Sequence, residues 1–192
     1  MKTAKKYLND SELKSFQALL ERSKNKRDIF AFNLILFLGL RVQEAVNIQL
    51  KDIDNLEHMI LIRGLKSGRT RTYDIPGKLW RQYRAWIKVG KQLKSSKNNP
   101  YLFPARDYED GQLSAQALKK AFKSYAEKAG FESSIHSLRH SCAMIRVRNG
   151  SHPIAVQKWL RHRALSSTEV YFEAYQDERD NKVAARQFED YL

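Results

Sequence analysis

The sequence holds a single cysteine, Cys142, in 192 residues. One thiol makes no internal disulfide and cannot anchor a zinc ribbon, so the plain reading of Cys142 is a small buried side chain. Long apolar runs are also missing. A bilayer span takes roughly 20 apolar residues. The longest run here, Ile29 to Leu40, is interrupted by Asn33 and fits a buried helix better. The basic N-terminus, MKTAKKYLND, has no apolar region behind it. No signal peptide is therefore expected, and the expectation is a cytoplasmic protein without a membrane partner. There are no internal repeats, no low-complexity segment and no carboxylate cluster of the kind that binds Mg²⁺.

Positive charge is what the chain has in excess. Lys and Arg number 35 against 21 Asp and Glu, a net charge of +14. That imbalance implies a polyanionic partner, nucleic acid first and an anionic membrane surface second. The charge is spread along the chain with no detachable tail, which suggests a folded surface that follows a phosphate backbone. The hydrophobic share of 42% is enough for the core of one ordinary domain.

The apolar spacing predicts a mainly α protein with one small antiparallel β-sheet. Asn9 and Glu12 have capping-box spacing at the start of a helix that ends near Arg22. A second helix starts near Arg27, is apolar nearly all round and so belongs in the core; Gly39 ends it. Arg41 opens a short helix, RVQEAVNI. Met59 to Ile62 and Arg71 to Pro76 read as a β-hairpin with a basic tip of Lys66, Arg69 and Arg71. Further helices are expected over 77–93, 114–129, 137–149, 153–162, 166–175 and 178–191, with a polar loop at 94–100 and an extended YLFP after it.

Several residues fit poorly with a purely structural role. Arg41 follows directly on the most buried helix, and Glu44 shares its face at i,i+3. The pair is either a structural ion pair or a carboxylate orienting Arg41 toward a bound anion. His136 and Arg139 also stand at i,i+3, and a guanidinium with an imidazole matches the oxygens of a phosphate. His136 and His140 have the i,i+4 spacing of zinc ligands, but the general-base Glu of that motif is replaced by Ser137, and Arg139 would put a cation beside the metal. No metal site is expected. His162 closes a helix in WLRHR, and Tyr171 follows nine residues later.

Taken in order, GLRVQEAV, LKSGRTRTYDIP, HSLRHSCA and WLRHRALSSTEVY resemble the tyrosine recombinase (phage integrase) family from about Leu8 onward. The resemblance implies the DNA breaking-rejoining catalytic fold over 9–192, after a basic lead-in of residues 1–8, and a prokaryotic or phage-encoded protein associated with DNA. It implies catalytic roles for Arg41, Lys66, His136, Arg139, His162 and Tyr171, with Glu44 supporting Arg41. Arg69, Arg71, Arg161 and Arg163 are candidate DNA contacts. One position departs from the pattern. The family usually has Gly before the later histidine, and Arg161 stands here, which leaves the local backbone turn open.

The implied reaction is attack by Tyr171 on a phosphodiester of double-stranded DNA, giving a 3′-phosphotyrosyl link and a free 5′ hydroxyl. Arg41, Arg139 and His162 would hold the phosphate oxygens, a role fixed donors can fill in place of metal ions. His136 would accept the tyrosine proton, and Lys66 would protonate the leaving oxygen. The link keeps the bond energy, so no ATP or other cofactor is expected. Tyr175, one turn after Tyr171, is a rival nucleophile. Family members usually carry a separate N-terminal helical domain. Only about eight residues precede the catalytic segment here, so the expectation is either a short recombinase resembling the fimbrial-inversion type or a catalytic fragment. Residues 178–191 would dock on a neighbouring subunit of a tetramer on DNA or pack on their own domain, and the chain could be a monomer off DNA. The rivals are a type IB topoisomerase and a non-catalytic DNA-binding regulator.

Overall fold

The computed structural model describes residues 7–65, 69–90, 99–105 and 111–189, with side chains as far as residue 180. It is mainly helical with one three-stranded antiparallel sheet in the order β1-β2-β3. The described residues fall into two compact units, Met1–Ser141 and Cys142–Leu192.

In the first unit, α1 (Asp10–Arg22) begins with the expected capping box. The Asn9 side chain accepts from the Glu12 N–H at 2.8 Å, and Glu12 accepts from the Asn9 N–H at 2.7 Å. α2 (Lys26–Leu38) is the central helix. Phe30, Ala31, Phe32, Leu34 and Leu38 have no measurable exposure. Phe16 of α1 and Phe32 of α2 both meet Phe122 of α5 (Ala115–Lys128), with ring centroids 5.2 and 5.8 Å away. Asn33, the polar interruption in the apolar run, has a packing role. It accepts from Gln17 of α1 at 2.7 Å and donates to Gln82 of α4 (Gly77–Gly90) at 3.1 Å. A polar side chain within a core helix is tolerated when it is satisfied in this way.

The hairpin forms as expected. β2 (Met59–Ile62) pairs with β3 (Arg71–Asp74), with Ile62 opposite Arg71. β1 (Ile53–Asp54), which adds to the other edge of β2, is not among the expected elements. Two residues are too short for an alternating pattern to show. The 3₁₀ turn Leu50–Asp52 precedes it, and Asp52 takes Arg63, just after β2, in an ion pair at 2.5 Å. The extended YLFP stretch is stitched on both sides, by Leu102 N–H to the Ile48 carbonyl at 2.8 Å and by Leu113 N–H to the Phe103 carbonyl at 2.7 Å.

α6 (His136–Arg148) crosses the boundary between the units. In the second unit come α7 (Pro153–Leu160) and α8 (Ser166–Glu189). The expectation of separate helices over 166–175 and 178–191 is corrected here, because α8 runs unbroken through both as far as Glu189. Gln176 and Asp177 at the expected break are neither Gly nor Pro, and Gln176 donates to Asp180 one turn on at 3.0 Å. Within this unit Arg148 grips Glu178 with both carboxylate oxygens at 2.9 Å, tying α8 to the end of α6. Among the described residues no helix is long and apolar enough to cross a membrane.

The end of α2 turns on Gly39, which closes the helix at φ 62°, ψ 40°. A side chain at this left-handed position costs about 1–2 kcal/mol. Gly39→Ala is therefore expected to lose about that much stability in a urea titration, and an alanine variant as stable as the parent would contradict the assigned turn.

Candidate active site

The site residues of the first unit are organised by one carboxylate. α3 (Val42–Val46) starts directly after the Gly39 turn, with Arg41 at its N-cap. Glu44, 2% exposed, folds back over the helix start and accepts from the Arg41 main-chain N–H at 2.8 Å. Its other oxygen accepts from the Arg41 guanidinium at 3.1 Å. Arg139, 5% exposed on α6, brings Nη1 to 3.9 Å from the same carboxylate and donates to the Gly39 carbonyl.

The magnitudes decide what this arrangement is. Taking one partner from a buried ion pair costs about 3–5 kcal/mol, because the remaining charge is stranded. Glu44 must therefore keep its cations, and the structural ion-pair reading is correct as far as it goes. Yet the Arg41 side chain is 44% exposed while that of Glu44 is 1% exposed. The carboxylate sits behind the guanidinium and the open side faces out, as an anion clamp requires.

His136, at the exposed start of α6, belongs to the same electrostatic group. Partial burial of its ring lowers its pKa, and the positive charges of Lys119, Arg139 and Arg41 lower it further. Lys119, on the outer face of α5, was not picked out from the sequence. It is one of the α5 lysines Lys119, Lys120, Lys123 and Lys128, and only the fold reveals that its charge reaches His136. Lys66 lies outside the described residues. Arg69, beyond the hairpin tip, is exposed, and Arg71 is half-buried with its guanidinium 5.2 Å from the Tyr73 ring centre.

The second unit carries His162, Tyr171 and the Arg161 anomaly. Arg161 adopts φ 58°, ψ 37°, so the turn that usually takes Gly is kept with a side chain present. The left-handed conformation costs a residue with a Cβ about 1–2 kcal/mol. The turn is held by His162 N–H to the Gln157 carbonyl at 3.1 Å and Arg161 N–H to the Lys158 carbonyl at 3.3 Å, the pair of bonds that closes a helix through a left-handed residue. The Arg161 side chain is buried and donates to the Trp159 carbonyl at 3.2 Å, whereas Arg163 is exposed.

His162 Nδ1 lies 2.9 Å from the hydroxyl of Thr168, in the first turn of α8. Tyr171, one turn further on and 5% exposed, holds its ring nearly parallel to that of His162, at 16° and 6.5 Å between centroids. Tyr175 is half-buried beside Arg179, whose guanidinium is 5.9 Å from its ring centre. Thr168 was missed in the sequence. Its one signal is a threonine three residues before Tyr171, which places both on one face of the helix.

These features coincide with a family match. Residues 6–178 match the phage integrase family, and the chain belongs to it. The tyrosine recombinase XerA of Pyrococcus furiosus is 31% identical over 171 residues, covering 88% of this chain and 58% of that protein. The chain thus spans a little over half the length of the curated relatives it matches. Two solved structures show the fold. One is the XerH site-specific recombinase bound to a palindromic difH substrate in a post-cleavage complex (TM-score 0.78, 24% identity, 93% of this chain and 52% of that one). The other is the catalytic domain of bacteriophage HP1 integrase (TM-score 0.62, 21% identity, 86% of this chain and 85% of that one). The fold is that of a tyrosine recombinase catalytic domain, mainly α with a small sheet.

The lowered pKa of His136 has a sign that can be checked. The folded protein disfavours the imidazolium, so the unfolded chain binds the proton first as pH falls through the ordinary histidine value near 6.5. Stability should fall from pH 7 toward pH 5 and level off below the folded-state midpoint. Urea midpoints of the wild type and His136→Gln across this range test it, with the wild type losing more. Parallel losses would contradict the assignment.

Proposed function

We propose that this chain is a DNA strand transferase that cleaves and rejoins double-stranded DNA at specific sites through a 3′-phosphotyrosyl intermediate. The observation that carries the reading is the pair of arginines on one buried carboxylate, the half-exposed Arg41 and the buried Arg139 on α6. Two guanidiniums backed by a carboxylate and bordered by an imidazole form a fixed set of donors for a pentacovalent phosphate.

In this reading the Tyr171 oxygen attacks phosphorus and the bond from phosphorus to the 5′ oxygen breaks. The tyrosine proton passes to His136, whose lowered pKa keeps it neutral and able to accept. Arg41, Arg139 and His162 hold the non-bridging oxygens, and Lys66 supplies the proton to the leaving 5′ oxygen. The phosphotyrosyl bond keeps the energy of the broken one, so an incoming 5′ hydroxyl reseals the strand without ATP. Arg69 and Arg163 are the better exposed of the proposed DNA contacts.

Support for DNA as partner comes from the net charge of +14 and from relatives named as recombinases, one of them solved with its DNA substrate. The catalytic domain is assigned to residues 9–192. Exchange between two duplexes calls for a tetramer on DNA, and the site of action is the DNA of a prokaryotic or phage-derived genome in the cytoplasm.

Footprinting on the native genomic neighbourhood would locate the target, and a nicked suicide substrate of that site would trap the adduct. Tyr171→Phe should lower adduct formation by at least about 10³-fold, the scale of removing a nucleophile, while Tyr175→Phe retains it. An adduct that persists in Tyr171→Phe and vanishes in Tyr175→Phe would reverse the assignment. A footprint with no adduct from the wild type would favour a DNA-binding regulator instead.

A further inference from the structure

We propose that Thr168 is a positioning residue for His162: its hydroxyl donates to Nδ1 and keeps the imidazole proton on Nε2, the nitrogen that then faces the phosphate as donor. The inference rests on the reading of His162 as the third phosphate donor.

A neutral imidazole carries one N–H, and only the nitrogen bearing it can donate. The hydrogen bond made by the other nitrogen therefore selects the tautomer. Thr168 Oγ1 lies 2.9 Å from Nδ1, and Thr168 has no exposure to solvent. A hydroxyl so enclosed has to place its proton on an acceptor, and Nδ1 is its hydrogen-bond partner among the described residues. With the proton on Nδ1 the bond would reverse, and the hydroxyl hydrogen would be buried without an acceptor, which is the costlier state. A threonine inside a helix often turns its hydroxyl back to the carbonyl one turn earlier; here it reaches six residues back to His162.

The same bond fixes the plane of the ring. His162 follows the left-handed turn at Arg161, and Thr168 sits in the first turn of the helix that carries Tyr171. One turn of α8 thus bears both the proposed nucleophile and the group that orients the donor beside it. The rings of His162 and Tyr171 lie nearly parallel, 16° apart in plane.

The test is to read the His162 tautomer in the full chain at pH 8 by long-range proton–nitrogen NMR, in the wild type, Thr168→Val and Thr168→Ser. The wild type and the serine variant should show the proton on Nε2, and the isosteric valine variant a mixture. On the footprinted suicide substrate, Val should slow adduct formation by about 10- to 100-fold, the scale of losing the outer partner of a working histidine, and Ser should restore it. A proton on Nδ1 in the wild type, or a valine variant with unchanged tautomer and rate, would overturn the proposal. If the valine variant does not fold, Thr168→Ala against Thr168→Ser gives the same comparison, and equal tautomers and rates would overturn it. His162→Ala that keeps the full adduct rate would overturn the donor reading itself, an outcome the tautomer spectra distinguish from failure of the Thr168 bond.

Discussion

The buried carboxylate of Glu44 is the constraint on which the site depends. A carboxylate with 2% exposure must be compensated by positive charge and hydrogen bonds. The chain supplies these from two places about a hundred residues apart in sequence. Arg41 offers both its guanidinium and its main-chain N–H, and Arg139 arrives on α6. Removing the carboxylate would leave two like charges side by side, so Glu44 is what lets the two arginines stand together.

The surrounding fold serves that pairing. α2 is apolar and buried over most of its surface from Ile29 onward and locks into the core, so its end is a fixed point. Gly39 turns the chain sharply there, which points α3 away and exposes a carbonyl that Arg139 takes. Aromatic packing among Phe16, Phe32 and Phe122 sets α5 against α1 and α2, and α5 in turn presents Lys119 to the field around His136. In the second unit a different set of local bonds does comparable work. The Arg161 turn, the His162–Thr168 bond and the Arg148–Glu178 grip fix the first half of α8 and with it Tyr171.

Much of this was legible in the sequence because it is local. The Asn9–Glu12 capping box and the Arg41–Glu44 pair each join residues three apart, and the largely apolar α2 with its Gly39 stop is one continuous segment, so spacing along the chain gives their geometry. The motif order supplied the family, which the match over residues 6–178 bears out. What stayed hidden depends on distance or brevity. β1 is two residues long and exists only because β2 offers an edge. The Arg139 bond to the Gly39 carbonyl spans a hundred positions, and Lys119 matters only through the fold. The break expected near residue 177 was not there, because α8 carries no Gly or Pro to end it. The turn left open by Arg161 was settled by backbone geometry, which tolerates a left-handed arginine when the flanking hydrogen bonds are made.

The most direct measurement is a crystal structure of the chain trapped on a nicked copy of its footprinted site. The account predicts continuous density from the Tyr171 oxygen to a 3′ phosphate. It also predicts Arg41 and Arg139 on the non-bridging oxygens of that phosphate, with Glu44 behind both. A phosphate joined to another residue, or held away from the two arginines, would contradict it.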